Sequence, residues 1–113
     1  HPDRPLTVIG SSLGGHIAVA LTAHAAVRNL IVLCPALYSD AAVVMPYSER
    51  SRWMFRDLTS MAILQTLERF RGRLLHVIGS DDTIIAPRVT ALFQQHSLQA
   101  ATRDFVTLPG APH

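Results

Sequence analysis

The sequence contains no lysine and one cysteine, and aromatic residues make up only 6% of it. The lone Cys34 excludes an internal disulfide and a metal site built from several thiolates, and it fits a reducing compartment. Without lysine, ten arginines stand against eight acids, for a formal net charge of +2. That field is weak. Arginines gather at 50, 52 and 56 and again at 69, 71 and 73, but few aromatics interleave and no nucleic-acid motif surrounds them. They read as solvated faces and rim ion pairs, and no nucleic-acid partner is expected. No apolar run reaches the roughly 18 residues of a membrane span. The opening "HPDRPLTV" has neither the basic start nor the apolar centre of a signal peptide. A soluble, cytoplasmic chain with no membrane partner is the expectation.

What the chain does have is apolar content, 49% over 113 residues against 16% charged, enough for one folded domain. Four short apolar runs recur, "LTVI" at 6–9, "NLIVLC" at 29–34, "RLLHVIG" at 73–79 and "DFVTLPG" at 104–110. The first three are almost uniformly apolar, which suits strands of a parallel sheet covered on both faces. Helix-like segments lie between them. The alanine-rich stretch from Leu13 to Val27 has little polar face and predicts a largely buried helix. Residues 60–70 place Ile63, Leu64, Leu67 and Phe70 on one stripe, with Gly72 as a stop. From Pro87, a residue suited to a first helical position, Val89, Leu92, Phe93 and His96 share a face. Strand and helix alternate, so the fold class is α/β with right-handed parallel crossovers. Residues 35–59 break the rhythm with two prolines, two tyrosines and the only tryptophan, and read as an insertion over a sheet end.

The sharpest local pattern is Gly10-Ser11-Ser12-Leu13-Gly14, a G-x-S-x-G sequence placed after a strand and before a helix. A serine raised above a sheet on so tight a turn is backbone-strained, and side chains two positions to either side would collide with the neighbouring strand and helix. The helix start also brings the Leu13 N–H and the helix dipole toward Ser12, where they can meet negative charge on a substrate oxygen. The plainer reading is that Ser11 or Ser12 caps the helix.

A serine hydroxyl needs a base, and the base needs an acid. Asp81 and Asp82 lie in "GSDDTIIAP", the loop leaving the third run, and His113 lies just past the fourth in "LPGAPH". In a parallel sheet both loops share the carboxyl edge with the Ser12 turn. The remaining histidines have structural readings: His76 as a packed strand residue, His16 as a support of the turn one helical turn on, and His1, His24 and His96 with no catalytic neighbours. Cys34 reads as a small buried apolar residue. "GSSLGG" lacks the lysine of a P-loop and does not fit G-x-G-x-x-G, so no nucleotide, cofactor or metal is expected.

With these pieces in place the chain resembles the α/β-hydrolase superfamily, whose triad follows the order serine, acid, histidine with the serine on a nucleophile elbow. The resemblance runs through the elbow "GSSLGG", the proline-ended strand "IVLCPAL", the acid loop "GSDDTIIAP" and the base loop "LPGAPH". It is most similar to esterase-like, uncharacterised bacterial acyl-hydrolase members. It implies Ser12 as nucleophile, His113 as base, Leu13 as an oxyanion donor, and Gly10 and Gly14 as elbow glycines. Counting from Gly79 along the family's acid loop places the acid at Asp82 and its aliphatic at Ile85, with Asp81 as the fallback. Asp40, after the second strand, occupies a place that some members use instead, but it reads better as an exposed turn residue. Tyr38, Trp53 and Phe55, with Tyr47 and Met54 nearby, would line an acyl pocket, although packing of the insertion explains them about as well. The expected ligand is a small ester or acyl substrate.

The chain departs from the family pattern in extent. Its strands match the fifth through eighth of an eight-stranded sheet, giving one partial domain over 1–113 with elbow 7–16, cap-like insertion 35–59, acid loop 79–87 and base loop 109–113. The "LTVI" strand then becomes a sheet edge open to pairing with another copy. The second oxyanion donor, which the family takes from the loop after its third strand, is missing. A chain that stops at the presumed catalytic histidine reads as a fragment.

Overall fold

The computed structural model describes residues 4–46 and 61–113. Four strands, β1 (Leu6–Ser11), β2 (Val27–Leu33), β3 (Arg73–Gly79) and β4 (Thr102–Leu108), form one sheet in the order β1-β2-β3-β4. Every neighbouring pair is parallel. The connections carry α1 (Leu13–Leu21), α2 (Asp40–Val43), α3 (Ala62–Arg69) and α4 (Pro87–His96). Among the described residues no helix is long and apolar enough to cross a membrane.

The expected elements are present, with shifted limits. α1 stops at Leu21, short of the expected Val27, because Thr22 turns the chain there: its hydroxyl donates to the Val19 carbonyl at 2.6 Å, and the next residues lead directly into β2. β1 and β2 run longer than their apolar cores, and β4 begins two residues earlier than its apolar run, since ladder hydrogen bonds extend past the hydrophobic residues that nucleate them.

One face of the sheet holds the core. Leu30 and Val32 of β2 and Leu74 of β3 bury against Val19 of α1, Leu67 of α3 and Val89 and Phe93 of α4. Strand alternation sends their neighbours the other way. On that opposite face Ile9, Leu33 and Val106 are exposed, so the uniformly apolar strands are not covered on both sides as the sequence led one to expect. In the first part of the 35–59 insertion, Ala36, Leu37, Tyr38 and Ala42 are buried in the core. The rest of the insertion, with Trp53 and Phe55, lies outside the described residues.

His76 of β3 is a buried polar exception. It is 1% exposed, its ring lies 4.9 Å from that of Phe93 and 5.3 Å from that of Phe105, and neither imidazole nitrogen has a hydrogen-bond partner. Burial drives its pKa down to about 4, so the ring is neutral at pH 7.

Candidate active site

Ser12 joins β1 to α1 with φ 53° and ψ −119°, a conformation that a side chain bearing Cβ rarely adopts. The backbone around it is tied down. Its N–H donates to the Leu33 carbonyl at 3.0 Å, and its own carbonyl accepts from Gly15 and Ala36, each at 2.9 Å. The Ser12 hydroxyl makes no capping bond to α1, whereas Ser39 does cap α2 by accepting the Ala42 N–H. The strain therefore serves to present the hydroxyl, which stands free of the helix it precedes.

The elbow glycines divide differently from expectation. A Cβ on Gly10 would run into the Gly14 carbonyl and lie 2.8 Å from the Ala18 Cβ, so Gly10 is sterically required. Gly14 is not. A Cβ there would meet nothing within 4 Å, because the way α1 leaves the turn points that position into open space. The second close approach belongs to Gly15, whose added Cβ would strike Pro35. Its sequence signal was the doubled glycine itself.

The acid and base loops hold each other at the ends of β3 and β4. The Ser80 N–H donates to the Leu108 carbonyl at 3.0 Å, the Asp81 N–H to the Ala111 carbonyl at 2.9 Å, and the Gly110 N–H to the Ser80 hydroxyl at 2.7 Å. Gly79 is needed because a side chain there would strike the Ala111 backbone, and Gly110 takes the left-handed φ of +74°. Sequence reasoning missed Ser80, a small polar residue that only the folded neighbourhood shows to be a clasp.

Between these loops the structure brings three side chains together. His113 Nε2 lies 2.9 Å from Ser12 Oγ, and His113 Nδ1 lies 2.9 Å from Asp82 Oδ2. The Asp82 side chain is 5% exposed, and its other oxygen accepts the Ile84 and Ile85 N–H groups at 2.8 and 3.0 Å. Burial alone would raise the Asp82 pKa, but the His113 contact and the two amides outweigh it and hold the carboxyl below its ordinary value. A stably ionised Asp82 favours the tautomer with the proton on Nδ1, which leaves the Nε2 lone pair facing the Ser12 hydroxyl. The Leu13 N–H, first in α1, has no place in the intrahelical ladder and remains available to an incoming oxygen.

Other residues fall outside this group. Asp81 stays in the loop turn, its Oδ1 3.3 Å from the Ser80 hydroxyl. Exposed Asp40 accepts the Ala62 N–H at 2.9 Å and so ties α2 to α3. His16 is a buried support: its Nδ1 accepts the Tyr38 N–H at 3.1 Å and its ring lies 5.3 Å from the Tyr38 ring. Tyr38, expected to line an acyl pocket, is 4% exposed in that packing, so its ring faces the core. A cavity of about 220 Å³ borders Asp82, lined in part by Ile78, Ile85 and Pro87. A larger one of about 440 Å³ lies at the opposite, amino end of the strands among Arg4, Arg28, Arg69 and Arg71, away from Ser12.

No protein-family description matches the sequence, and no curated protein matches it. Solved structures do match its fold. A predicted CIB-like hydrolase from Thermoplasma acidophilum superposes with a TM-score of 0.63 over 93% of this chain at 16% identity. The esterase domain of a Rhodothermus marinus protein gives 0.69 over 95% at 22% identity. The Paleococcus ferrophilus monoacylglycerol lipase gives 0.68 over 97% at 14% identity. The fold is that of the α/β-hydrolases. This chain holds part of it, spanning 40%, 50% and 60% of those three chains respectively. Within the α/β-hydrolase frame, β1 and α1 flank the elbow, and the turns after β3 and β4 carry Asp82 and His113.

Proposed function

We propose that the protein is a serine hydrolase of carboxylic esters or thioesters that works through an acyl-enzyme. The reading is carried by the relay of two 2.9 Å contacts from Ser12 through His113 to Asp82, assembled across 101 and 31 positions of sequence. In this scheme Ser12 Oγ attacks the substrate carbonyl carbon as His113 Nε2 takes its proton. The carbonyl oxygen becomes an oxyanion facing the Leu13 N–H and the positive end of α1. The tetrahedral adduct collapses as His113 returns the proton to the leaving alcohol or thiol. A water then gives its proton to His113 and attacks the acyl-Ser12 carbonyl, which releases the acid and restores the hydroxyl. Asp82 stays ionised throughout, fixing the ring and stabilising its charged form. A second amide donor, which the resemblance assigns to a preceding strand's loop, would add a factor of about 10² to 10³ in turnover.

A fluorophosphonate probe tests the reading. It should label Ser12 in the protein and leave a Ser12→Ala variant unlabelled. Absent or equal labelling of both would end it. The alternative is a non-catalytic binding or self-associating module, favoured by the edge position of β1 and by the 40–60% span of the structural neighbours. A monomer by light scattering that turns over ester substrates would reject that alternative.

A further inference from the structure

Cys34 directly follows β2, with φ 44°, and its N–H donates to the Val77 carbonyl at 2.7 Å. It takes no part in the proposed acyl transfer, yet it leaves the strand beside the reacting groups. One donor atom each from Cys34, Asp82 and His113 lies within 4.8 Å of the other two. We propose that Cys34, Asp82 and His113 form a capture site for a thiophilic divalent cation, zinc above all, whose binding takes the His113 Nε2 lone pair away from Ser12.

The donor set decides the kind of cation. One sulfur, one carboxylate oxygen and one imidazole nitrogen are each ordinary zinc ligands, and three of them leave a fourth tetrahedral position for solvent. Magnesium and calcium require mostly oxygen ligands, and a single carboxylate among these groups does not supply them. Ligand atoms in a tetrahedral zinc site lie roughly 3.3–3.8 Å apart, given metal–ligand lengths of about 2.0–2.3 Å. Binding would draw the present spacing, at most 4.8 Å, into that range. The carboxylate is already oriented by the Ile84 and Ile85 amides, which act as outer-shell supports. Coordination binds the Cys34 sulfur as thiolate, so the thiol gives up its proton when the cation enters.

The chemical consequence concerns the tautomer. Nδ1 is the ring nitrogen that faces Asp82. A cation bound there needs its lone pair, so the ring proton moves to Nε2, and the nitrogen facing the Ser12 hydroxyl becomes a donor with no lone pair to accept a proton. Overall, one zinc ion enters and the thiol proton leaves to solvent. The silencing of Ser12 rests on the hydrolase reading; the cation site does not.

The test is zinc chloride titrated by calorimetry into the protein and into Ser12→Ala, each expected to bind one ion per chain. Outer-shell changes in known zinc sites cost about 10- to 100-fold in affinity. Loss of a ligand should cost at least about 100-fold, so Cys34→Ala and Cys34→Ser should both bind at least that much more weakly. Cobalt(II) should give a thiolate-to-metal charge-transfer band that both Cys34 variants lack. Imidazole ¹⁵N shifts should report the His113 proton moving from Nδ1 to Nε2 as zinc binds. Fluorophosphonate labelling of Ser12 should fall in step and return with EDTA. Absence of stoichiometric binding, equal affinity in the Cys34 variants, or an unchanged His113 tautomer would overturn the proposal. If the ion binds through Cys34 and shifts the tautomer while Ser12 never labels even without metal, the cation site stands and the hydrolase reading fails.

Discussion

Replacing His76 with leucine should remove most of the pH sensitivity of stability that this core carries between neutral and mildly acidic conditions. In the folded protein the ring sits between Phe93 and Phe105 with both nitrogens unpartnered, and its pKa is about 4 instead of the ordinary 6.5. The unfolded chain therefore binds the proton first as pH falls. Acid draws the equilibrium toward the unfolded state, stability is full above pH 6.5, and it declines through the window down to about 4. At about 1.4 kcal/mol per decade of affinity, the gap limits the loss to about 3 kcal/mol, with about 2 kcal/mol already gone at pH 5. At pH 7 the exchange has opposing terms. Two unsatisfied buried nitrogens disappear, worth roughly 1–3 kcal/mol, while ring contacts worth about 0.5–1.5 kcal/mol are lost. Urea unfolding of both proteins at pH 7, 6 and 5 reads the difference directly. The wild type should lose about 2 kcal/mol relative to His76→Leu over that range. Parallel curves would refute the reasoning, and His76→Phe, which keeps an aromatic ring between its neighbours, should behave like the leucine variant.

Three further outcomes follow from the site. Gly10→Ala should destabilise by about 1–3 kcal/mol or more, since its Cβ meets the Gly14 carbonyl, while Gly14→Ala should be neutral or gain up to about 1 kcal/mol in helix propensity; thermal unfolding of the pair decides this. Asp82→Asn should slow fluorophosphonate labelling of Ser12 by about 10³- to 10⁴-fold by favouring the wrong His113 tautomer, and a rate within tenfold of wild type would remove Asp82 from its role. Because the folded Asp82 pKa is depressed, its stabilising contribution is present above the ordinary 3.8 and is lost as pH falls through the lower folded value, so acid unfolding of the wild type should steepen there relative to Asp82→Asn.

The four strands were legible because uninterrupted apolar runs ending at glycine or proline have few alternatives in a chain this short. Asp82 came from the resemblance, by counting along the family's acid loop from Gly79, and it is the carboxylate that the structure holds 2.9 Å from His113. What stayed hidden depended on the direction in which side chains leave the backbone. Gly14 and Gly15 are adjacent and identical in sequence, and only the exit angle of α1 decides that the second abuts Pro35. Tyr38 could face a substrate or the core, and the hydrogen bond from its amide to His16 pins its segment inward. The open sheet face was hidden for a related reason: an apolar strand announces that it can be covered, but its sequence does not say whether helices lie on one of its faces or on both. Cys34 became chemically interesting only when parallel pairing carried β2 and β3 to the same rim.

Each strand in this sheet lies beside the next one in the sequence. The turn that strains Ser12 is held by β1, α1 and the end of β2, whereas the imidazole beside it depends on β4 docking against β3 and on the Ser80 clasp on Gly110. Geometry at the rim therefore reports on the far edge of the sheet: a polypeptide in which β4 has come away keeps the strained serine but loses the ring that faces it.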